Sequence, residues 1–532
     1  MNHASLYSLH RDLIEWTRGN IAADLGERAL AALGRDVAVP AAIAAQTDTR
    51  IARLTRLLWL GEVLSDEELV ATLPVTTAHT NPTDLPFLEA AGGGWRSRWQ
   101  VVPVDVPAHL QHAIRKASPD SAAARTNTVW IASTHGALQG ARHAGDFVMG
   151  VGGASRTLAA LAAYEPHQRV LDLGTGSGIH AIFAALSGAN VTATDLSQPA
   201  LELASFNAAL NGVTLDLREG SLFEPVAGER FDVIVANPPF VITPPSARAT
   251  VGNLDYRDGG LYGDQLCAHI VRGLGDRLRT KGRAWMLLNW EVPAGTDDPY
   301  APLREWAKPG LDLHVIMREK LPVTAYIEMW LADGGVRPDH PDYEPSYRAW
   351  LADFDARGVS HVGLGYISAG QSQHATAATG PDEENLDSAT QATSNSDAPF
   401  FLGQHLRGTP PSDLHAYIES IWLQRDLTPA DLTALAPVAT DVVEHRFYHP
   451  GESDPWIIKF TQTNGFGEEI LATTALAGFV SVADGDLTTG QIIAALAELL
   501  SEDPATLTSQ LLPEVVEMRR LGMLTFVDPH CE

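Results

Sequence analysis

A short glycine-rich turn near the middle of the chain constrains the fold more than any other feature. The segment VLDLGTGSG runs from apolar residues into glycines at positions 174, 176 and 178. The apolar residues favour a buried strand, and the glycines allow positive φ values and close approach of the backbone to a ligand. Strand-like and helix-like patterns alternate around this turn, which predicts a doubly wound α/β domain. The predicted strands are residues 169–173, 190–195, 215–219, 231–236, 283–290, 311–317 and 325–331.

Two acids accompany the turn. Asp172 comes just before the first glycine, where it can accept hydrogen bonds from an amino-acid ammonium group. Asp195 ends the next predicted strand roughly 20 residues further on, which is the position of a ribose-binding carboxylate. The spacing is G-x-G-x-G, whereas dinucleotide-binding proteins have G-x-G-x-x-G. The spacing and the acid before the first glycine favour a cofactor other than a dinucleotide, although a glycine-rich turn alone is weak evidence.

The pattern resembles the S-adenosylmethionine-binding loop of class I methyltransferases. The resemblance implies that Asp172 and the glycines hold the methionine moiety and that Asp195 binds both ribose hydroxyls. Ser221 stands where an acid near the adenine amine is common, and its hydroxyl can also accept that hydrogen bond. The implied cofactor-binding residues are Thr157, Asp172, Gly174, Thr175, Gly176, Gly178, Asp195, Leu196, Ser221, Leu222 and Asn237.

A second motif, Asn-Pro-Pro-Phe, ends the fourth predicted strand and supplies the expected catalytic residues Asn237, Pro238, Pro239 and Phe240. It resembles the (N/D)-P-P-(Y/F) motif of methyltransferases that modify planar amino or amide nitrogens. Such a nitrogen is a poor nucleophile because its lone pair is delocalised. The Asn237 side-chain carbonyl and the Pro238 backbone carbonyl can accept its two N–H bonds and so orient it. The prolines stiffen the turn, and Phe240 offers a ring face to a flat group.

The residues after this motif narrow the type of methyltransferase. The sequence NPPFVITPP is similar to the N-P-P-Y-V-V-T-P stretch of the HemK/PrmC-like protein-glutamine methyltransferases. The segment DYRDGGLYGD, from Asp255 to Asp264, resembles the G-G-x-x-G segment of the same enzymes. Phe240 replaces their usual Tyr and is frequent in the RsmC-like ribosomal RNA methyltransferases. Of the upstream element VGGASRT, only Thr157 matches the family pattern.

Three functions are compatible with these motifs. The favoured function is methylation of a protein glutamine amide, and the net charge of −28 supports it because such a surface repels phosphate backbones. The alternative is methylation of an adenine N6 or guanine N2 in rRNA or tRNA, which Phe240 favours. The third is a regulator that only binds S-adenosylmethionine. The intact motif disfavours it, because a sensor does not need hydrogen-bond acceptors for a substrate nitrogen at Asn237.

Composition excludes several other classes of protein. No apolar run approaches the roughly 20 residues of a membrane-spanning helix, so we expect no membrane partner. The start of the chain is polar and lacks the apolar core of a signal peptide. Two distant cysteines, Cys267 and Cys531, exclude a disulfide framework and fit a reducing cytoplasm. No metal-ligand spacing is present. The resemblance of the motifs to glutamine and RNA methyltransferases implies a macromolecular substrate, protein or RNA.

At 532 residues the chain is too long for one hydrophobic core, so several domains are expected. The two ends read as mainly helical, winged-helix-like modules around the α/β domain. A low-complexity stretch precedes the last domain and has almost no large apolar side chain. The predicted division is a helical domain at 1–100, a connecting segment with strands at 101–140, the methyltransferase domain at 141–335, an extension at 336–367, a disordered linker at 368–399 and a C-terminal domain at 400–532.

Overall fold

A computed structural model shows two compact units. The first comprises residues 1–308, 321–362 and 367–371, and the second comprises residues 309–320, 363–366 and 372–532. The residues that the structure describes are 3–139, 147–247, 259–372, 399–411 and 413–529.

Helices occupy much of both units. The described helices of the first unit are α1 His3–Leu13, α2 Arg18–Leu25, α3 Glu27–Leu33, α4 Val39–Ala44, α5 Arg50–Leu54, α6 Asp66–Thr72, α7 Pro74–His79, α8 Ala108–Ala117, α9 Ala122–Thr126, α10 Gly153–Leu161, α11 Ile179–Leu186, α12 Gln198–Leu210, α13 Gln265–Arg277, α14 Ala301–Trp306, α15 Val323–Asp333 and α16 Tyr343–Arg357. Those of the second unit are α17 Leu414–Gln424, α18 Pro429–Ala434, α19 Thr474–Val480, α20 Thr489–Leu500 and α21 Pro504–Arg520.

The strands complete the two units. Those lying mainly in the first unit are β1 Leu88–Ala91, β2 Gly94–Ser97, β3 Gln100–Asp105, β4 Thr128–Ser133, β5 Arg169–Leu173, β6 Asn190–Asp195, β7 Asp216–Glu219, β8 Phe231–Ala236, β9 Leu278–Pro293 and β11 Val359–Gln371. Those lying mainly in the second are β10 Leu311–Pro322, β12 Phe401–His405, β13 Ala436–Ala439, β14 Val442–Phe447, β15 Ile457–Gln462, β16 Glu469–Ala472 and β17 Leu524–Val527.

A doubly wound sheet forms the centre of the first unit, as the sequence predicts. The six strands of this sheet that lie mainly in the first unit follow the order β7-β6-β5-β8-β9-β11, and the pairs from β7 through β9 are parallel. Because β6 lies on one side of β5 and β8 lies on the other, the chain reverses its direction of winding between β5 and β8. Ligands of open α/β sheets bind at the carboxyl ends of the strands at such a reversal.

Helix α12 shows how local sequence sets these boundaries. The Ser197 hydroxyl accepts a hydrogen bond from the Ala200 N–H, and Pro199 lies in the first turn. Gly212 follows the helix with a φ of 74°. The helix thus has a hydroxyl cap, a first-turn proline and a left-handed glycine stop, all of which are local signals in its sequence.

The last predicted strand is wrong. Residues 325–331 lie inside α15, whose bounds are Val323–Asp333. The run AYIEMWL is short and apolar, and periodicity alone does not separate a buried helix from a buried strand in such a run. The strand next to β9 is instead β11, which covers Val359–Gln371 and therefore part of the predicted extension.

The N-terminal helices share one hydrophobic core with the α/β residues. Leu203, Phe206 and Leu210 of α12 are buried in the same cluster as side chains of α1 to α6. The Phe206 ring also contacts Trp99, with ring centroids 4.8 Å apart. The structure thus places residues 1–100, which the sequence presents as a separate domain, within the same unit as the central sheet.

The second unit has its own core. Strand β12 pairs in parallel with β10, and both are strands of an eight-stranded sheet. Two small sheets are separate from it: β13 pairs antiparallel with β17, and β14, β15 and β16 form an antiparallel sheet. Helices α20 and α21 are followed by strand β17 near the C-terminus. Their buried side chains belong to one cluster with residues of β15 and α19.

The predicted linker at 368–399 falls largely outside the described residues, which exclude 373–398. Its first four residues, 368–371, are the end of β11, and Ser368 and Ala369 are buried there. Small side chains made this end look like linker, but they suit a strand that is covered on both faces.

Candidate cofactor and acceptor site

The two sequence motifs meet at the carboxyl edge of the central sheet. In the sheet register, Leu173 at the end of β5 pairs with Ala236 of β8 on one side and Thr194 of β6 on the other. The residues that follow these three are Gly174, Asn237 and Asp195. They therefore emerge side by side at the reversal of the sheet, where a ligand is expected.

The glycine loop leaves space for the atoms of a ligand to approach its backbone. Gly174 and Gly176 have φ values of 71° and 54°, and a Cβ added to either would meet no atom within 4 Å. Gly178 differs because its added Cβ would lie 3.2 Å from the Ala204 Cβ on α12. The first two glycines thus line open space, and the third lets the loop pack on a helix.

Asp172 shapes the loop from beneath. Its side chain is buried, and Oδ2 accepts hydrogen bonds from the Thr175 hydroxyl at 2.7 Å and the Ala181 N–H at 3.1 Å. Burial raises the pKa of Asp172 to about 6, with a smaller contribution from the neighbouring Asp195 carboxylate, while the two hydrogen bonds oppose the rise. A bound cation would lower that pKa again.

Asp195 connects the loop to the start of α12. Its Oδ2 accepts the Gly176 N–H at 2.9 Å and its Oδ1 accepts the Ser197 N–H at 2.9 Å. Burial raises its pKa, against the effect of these backbone hydrogen bonds. The carboxylate is thereby fixed beside the open face of the loop, as a ribose-binding acid requires.

The segment after β7 borders the same edge. The Gly220 N–H donates to the Asp195 carbonyl oxygen at 3.0 Å. Ser221 is exposed, and Leu222 has a φ of 47°, a left-handed conformation that is rare for leucine and costs about 1–3 kcal/mol. Leu196 is also exposed, at 71% of its surface. Ser221 and Leu196 are thus exposed, Leu222 is partly exposed, and the contact of all three with the cofactor stays a prediction.

Thr157, the remaining predicted cofactor residue, lies half-buried on α10. Helix α10 packs against α11 and β9. The structure therefore places Thr157 on a helix that packs against α11, the helix that follows the glycine loop. Contact of Thr157 with the cofactor stays a prediction.

The Asn-Pro-Pro-Phe turn is held by residues far along the chain. Pro238 is buried, whereas Asn237, Pro239 and Phe240 are partly exposed. The Pro239 carbonyl accepts the Gly259 N–H at 3.1 Å. Both Asn237 and Phe240 can thus reach an acceptor while the backbone between them is fixed.

Two aromatic residues that sequence reasoning missed fix the exit from this turn. The Tyr326 hydroxyl accepts the Ile242 N–H at 3.0 Å and the Asn289 side-chain amide at 3.0 Å. The Trp350 indole N–H donates to the Ile242 carbonyl at 2.8 Å. Tyr326 and Trp350 are fully buried. Their polar tips were the only available signal, since a buried Tyr or Trp usually has a hydrogen-bond partner.

A small pocket opens next to the turn. Its wall includes Asp264, whose Oδ2 accepts the Glu291 N–H at 2.9 Å. Burial and the neighbouring Asp264 raise the pKa of Glu291 to about 7, and an ion pair with Arg357 opposes the rise. Residues 255–258 of the predicted Asp255–Asp264 segment lie outside the described residues. The pocket is lined by Pro239, Phe240, Val241, Gly259, Leu261, Gly263, Asp264, Leu266 and Cys267.

Other findings bear on cofactors and membranes. Within the described residues, no group of three or more His, Cys, Asp or Glu side chains is arranged to hold a metal ion. Over the same part of the chain, no helix has the length and apolar character needed to cross a membrane.

Two protein families match parts of the chain. Residues 148–295 match the family described as methyltransferase small domain, and residues 14–98 match a domain of unknown function, DUF7059. The first match covers both the glycine loop and the Asn-Pro-Pro-Phe turn. It confirms the expected methyltransferase domain over residues 148–295, with S-adenosylmethionine as its cofactor.

Curated relatives match the same region. A release factor glutamine methyltransferase from Bordetella pertussis is 40% identical over 131 residues, which are 23% of this chain and 48% of the relative. One from Deinococcus radiodurans is 51% identical over 108 residues, or 20% of this chain and 38% of the relative. A ribosomal protein uL3 glutamine methyltransferase from Bradyrhizobium diazoefficiens is 39% identical over 125 residues, which are 22% of this chain and 39% of the relative. The chain spans about half or less of the length of these relatives.

Solved structures give a weaker likeness. A methyltransferase from Pyrococcus furiosus is 22% identical with a TM-score of 0.22, covering 29% of this chain and 70% of that one. A methyltransferase from Geobacter sulfurreducens, solved with S-adenosyl-L-homocysteine, is 18% identical with a TM-score of 0.22, covering 41% and 90%. At these scores the likeness carries no functional information.

Proposed function

We propose that this protein transfers a methyl group from S-adenosylmethionine to the side-chain amide nitrogen of a glutamine in a protein substrate. The observation that carries the proposal is the position of Asn237. It follows β8 directly beside Gly174 of the glycine loop, so a nitrogen acceptor and a cofactor loop share one edge of the sheet.

The residues of the site divide into those that would hold the cofactor and those that would hold the acceptor. Gly174 and Gly176 leave the space that a Cβ would fill, and Asp195 is oriented for a ribose. When bound, S-adenosylmethionine supplies an electrophilic methyl group on a sulfonium. Asp172 and Asp195 would hold the cofactor and contribute negative charge that favours a cationic ligand.

The Asn-Pro-Pro-Phe turn would orient the nucleophile. The Asn237 carboxamide oxygen and the Pro238 carbonyl oxygen would accept the two N–H bonds of the amide nitrogen. This would fix the nitrogen and stabilise the positive charge that develops on it during transfer. The N-methylated amide would then lose one N–H proton to water, which reaches the partly exposed Asn237, so no separate general base is required. Phe240 would pack its ring on the flat amide. The fixed exit at Ile242 keeps the acceptor oxygens in place.

The comparisons support a protein substrate. The relatives named above are glutamine methyltransferases of release factors or of ribosomal protein uL3. The net charge of −28 also disfavours nucleic acid. Phe240 in place of Tyr favours the alternative, an adenine N6 or guanine N2 of rRNA or tRNA. A cytoplasmic location is part of the same proposal, and the low cysteine content supports it.

Labelling with tritiated S-adenosylmethionine separates these functions. The full chain is incubated with lysate, and the products are treated separately with protease and with RNase. Protease-sensitive label on methylglutamine after hydrolysis supports the proposal. RNase-sensitive label would replace it by the base-methylating alternative. Binding of the cofactor with no labelled product at all would favour a regulator. The Asn237→Ala variant is the control for label that comes from other enzymes in the lysate.

A further inference from the structure

One face of helix α12 supports the back of the glycine loop. Ala204, Asn207 and Asn211 are spaced three and four residues apart, so their side chains lie on the same face of the helix. Ala204 receives the loop at Gly178, where only a hydrogen fits comfortably in place of a Cβ. Asn207 and Asn211 are both buried, although neither belongs to the sequence motifs discussed above.

Asn207 uses both ends of its side-chain amide. Its Oδ1 accepts the Ala132 N–H at 2.7 Å, and its Nδ2 donates to the Ala132 carbonyl at 2.8 Å. The same Nδ2 donates to the carbonyl oxygen of Ser177 at 2.8 Å. Ser177 lies between Gly176 and Gly178, so the Asn207 side chain links the middle of the glycine loop to β4.

Asn211 makes nearly the same contacts one turn later without touching the loop. Its Oδ1 accepts the Trp130 N–H at 3.0 Å, and its Nδ2 donates to the Trp130 carbonyl at 2.8 Å. Its second donated bond goes to the Asn207 carbonyl at 2.8 Å. The two amides thus attach α12 to β4 in the same way, and only the Asn207 side chain reaches a loop carbonyl.

We propose that Asn207 is a positioning residue for S-adenosylmethionine, acting through the Ser177 carbonyl. The peptide after Ser177 leads into Gly178, whose N–H donates to the Thr175 carbonyl. The peptide before it leads back to Gly176, whose N–H donates to Asp195. A fixed Ser177 carbonyl therefore holds the backbone of the glycine loop and the Asp195 carboxylate in fixed positions relative to each other. It also makes β4, which precedes the methyltransferase small domain, part of the support of the site.

The inference rests on the proposed function, since it assumes that the loop binds this cofactor. The test compares Asn207→Asp with Asn211→Asp. Each variant keeps the oxygen that accepts an N–H from β4 and replaces the donor NH2 by an oxygen facing two carbonyl groups. Melting temperatures are measured first, because both variants lose buried hydrogen bonds of the same kind. The Kd of S-adenosylmethionine is then measured by calorimetry on the full chain, without any acceptor substrate.

We expect similar losses of thermal stability in the two variants. The Kd should rise about tenfold in Asn207→Asp, the order expected when one buried hydrogen bond of a binding loop is lost, and stay within about twofold in Asn211→Asp. Equal changes in the two variants, or no change in Asn207→Asp, would overturn the positioning role. If either variant does not fold, Asn207→Ser and Asn211→Ser give the same comparison. Failure of the wild-type chain to bind would instead count against the proposed function.

Discussion

At the scale of single residues, the proposed site assigns cofactor binding and orientation of the substrate nitrogen to different strands. Asp172 and Asp195 belong to strands β5 and β6 and lie by the glycine loop, whereas Asn237 follows β8. Substitutions on the two sides should therefore affect different measured constants.

Asn237→Ala should lower turnover about a hundredfold or more, because it removes one positioned acceptor that matters most as the methyl transfers. Affinity for S-adenosylmethionine should stay within a few-fold of wild type. Single-turnover methyl transfer to the labelled substrate, with calorimetry for the cofactor, measures both. Asn237→Asp is the matched variant and should keep partial activity, since a carboxylate still accepts the N–H bond. Transfer by Asn237→Ala at the wild-type rate would mean that the turn is only structural.

Asp172 should make cofactor binding depend on pH. Its pKa of about 6 without ligand means that it is largely protonated at pH 5, and a cationic ligand favours the ionised form. Binding at pH 5 must therefore release a proton, so the Kd should be up to about tenfold higher than at pH 7.5 from this group. Asp195, whose pKa is also raised, adds to the same trend.

The variant Asp172→Asn isolates the contribution of Asp172 to the pH dependence. Its Kd should vary less between pH 5 and 7.5 than that of the wild type. The free energy of unfolding should change with pH in the opposite direction to the affinity, because a raised pKa in the folded state favours the protonated native protein. The free energy of unfolding of the wild type, relative to Asp172→Asn, should fall as the pH rises from about 4 through 6. An unchanged pH dependence of both quantities would show that Asp172 does not titrate in this range.

At the scale of secondary-structure elements, sequence patterns predict those parts whose signals are local. The glycine loop, the cap at Ser197 and the capping box of Ser65 with Glu68 are all present. Helix α15 and strand β11 were missed because their identities depend on tertiary partners. Gly365 illustrates this, since a side chain there would collide with the Ile316 carbonyl of β10. Sequence alone reads such a glycine as a break in a strand.

Helix α15 carries Tyr326, and a substitution of this residue tests the role of the helix in holding the Asn-Pro-Pro-Phe turn. Tyr326→Phe would leave the Ile242 N–H and the Asn289 amide without their shared acceptor, at a cost of about 1–3 kcal/mol. The free energy of unfolding from urea titration should fall by that order, and turnover should fall as well. Tyr7→Phe removes a hydroxyl from a side chain that is 66% exposed and serves as the control. Equal stability of the two variants would contradict the role given to Tyr326.

At the scale of the whole molecule, the methyltransferase domain does not end where its motifs end. Strand β11 lies beyond residue 335, and the apolar face of α12 is covered by helices near the N-terminus. Neither dependence is visible in a motif, because sequence patterns report which side chains need burial and leave their partners open. The tie between Asn207 and Ala132 adds a polar connection to the same N-terminal residues.

A fragment of residues 141–335, the domain predicted from sequence, should therefore not fold independently. It would expose Leu203, Phe206 and Leu210, which are nearly fully buried in the intact chain. Exposure of three large apolar side chains costs about 1.5–3 kcal/mol each, close to the whole stability of a typical domain. The loss of β11 would also uncover β9. Calorimetry should show no cooperative unfolding transition for the fragment and a clear one for the full chain. A fragment that unfolds cooperatively and binds S-adenosylmethionine with the affinity of the full chain would show that the N-terminal helices and β11 are dispensable for the site.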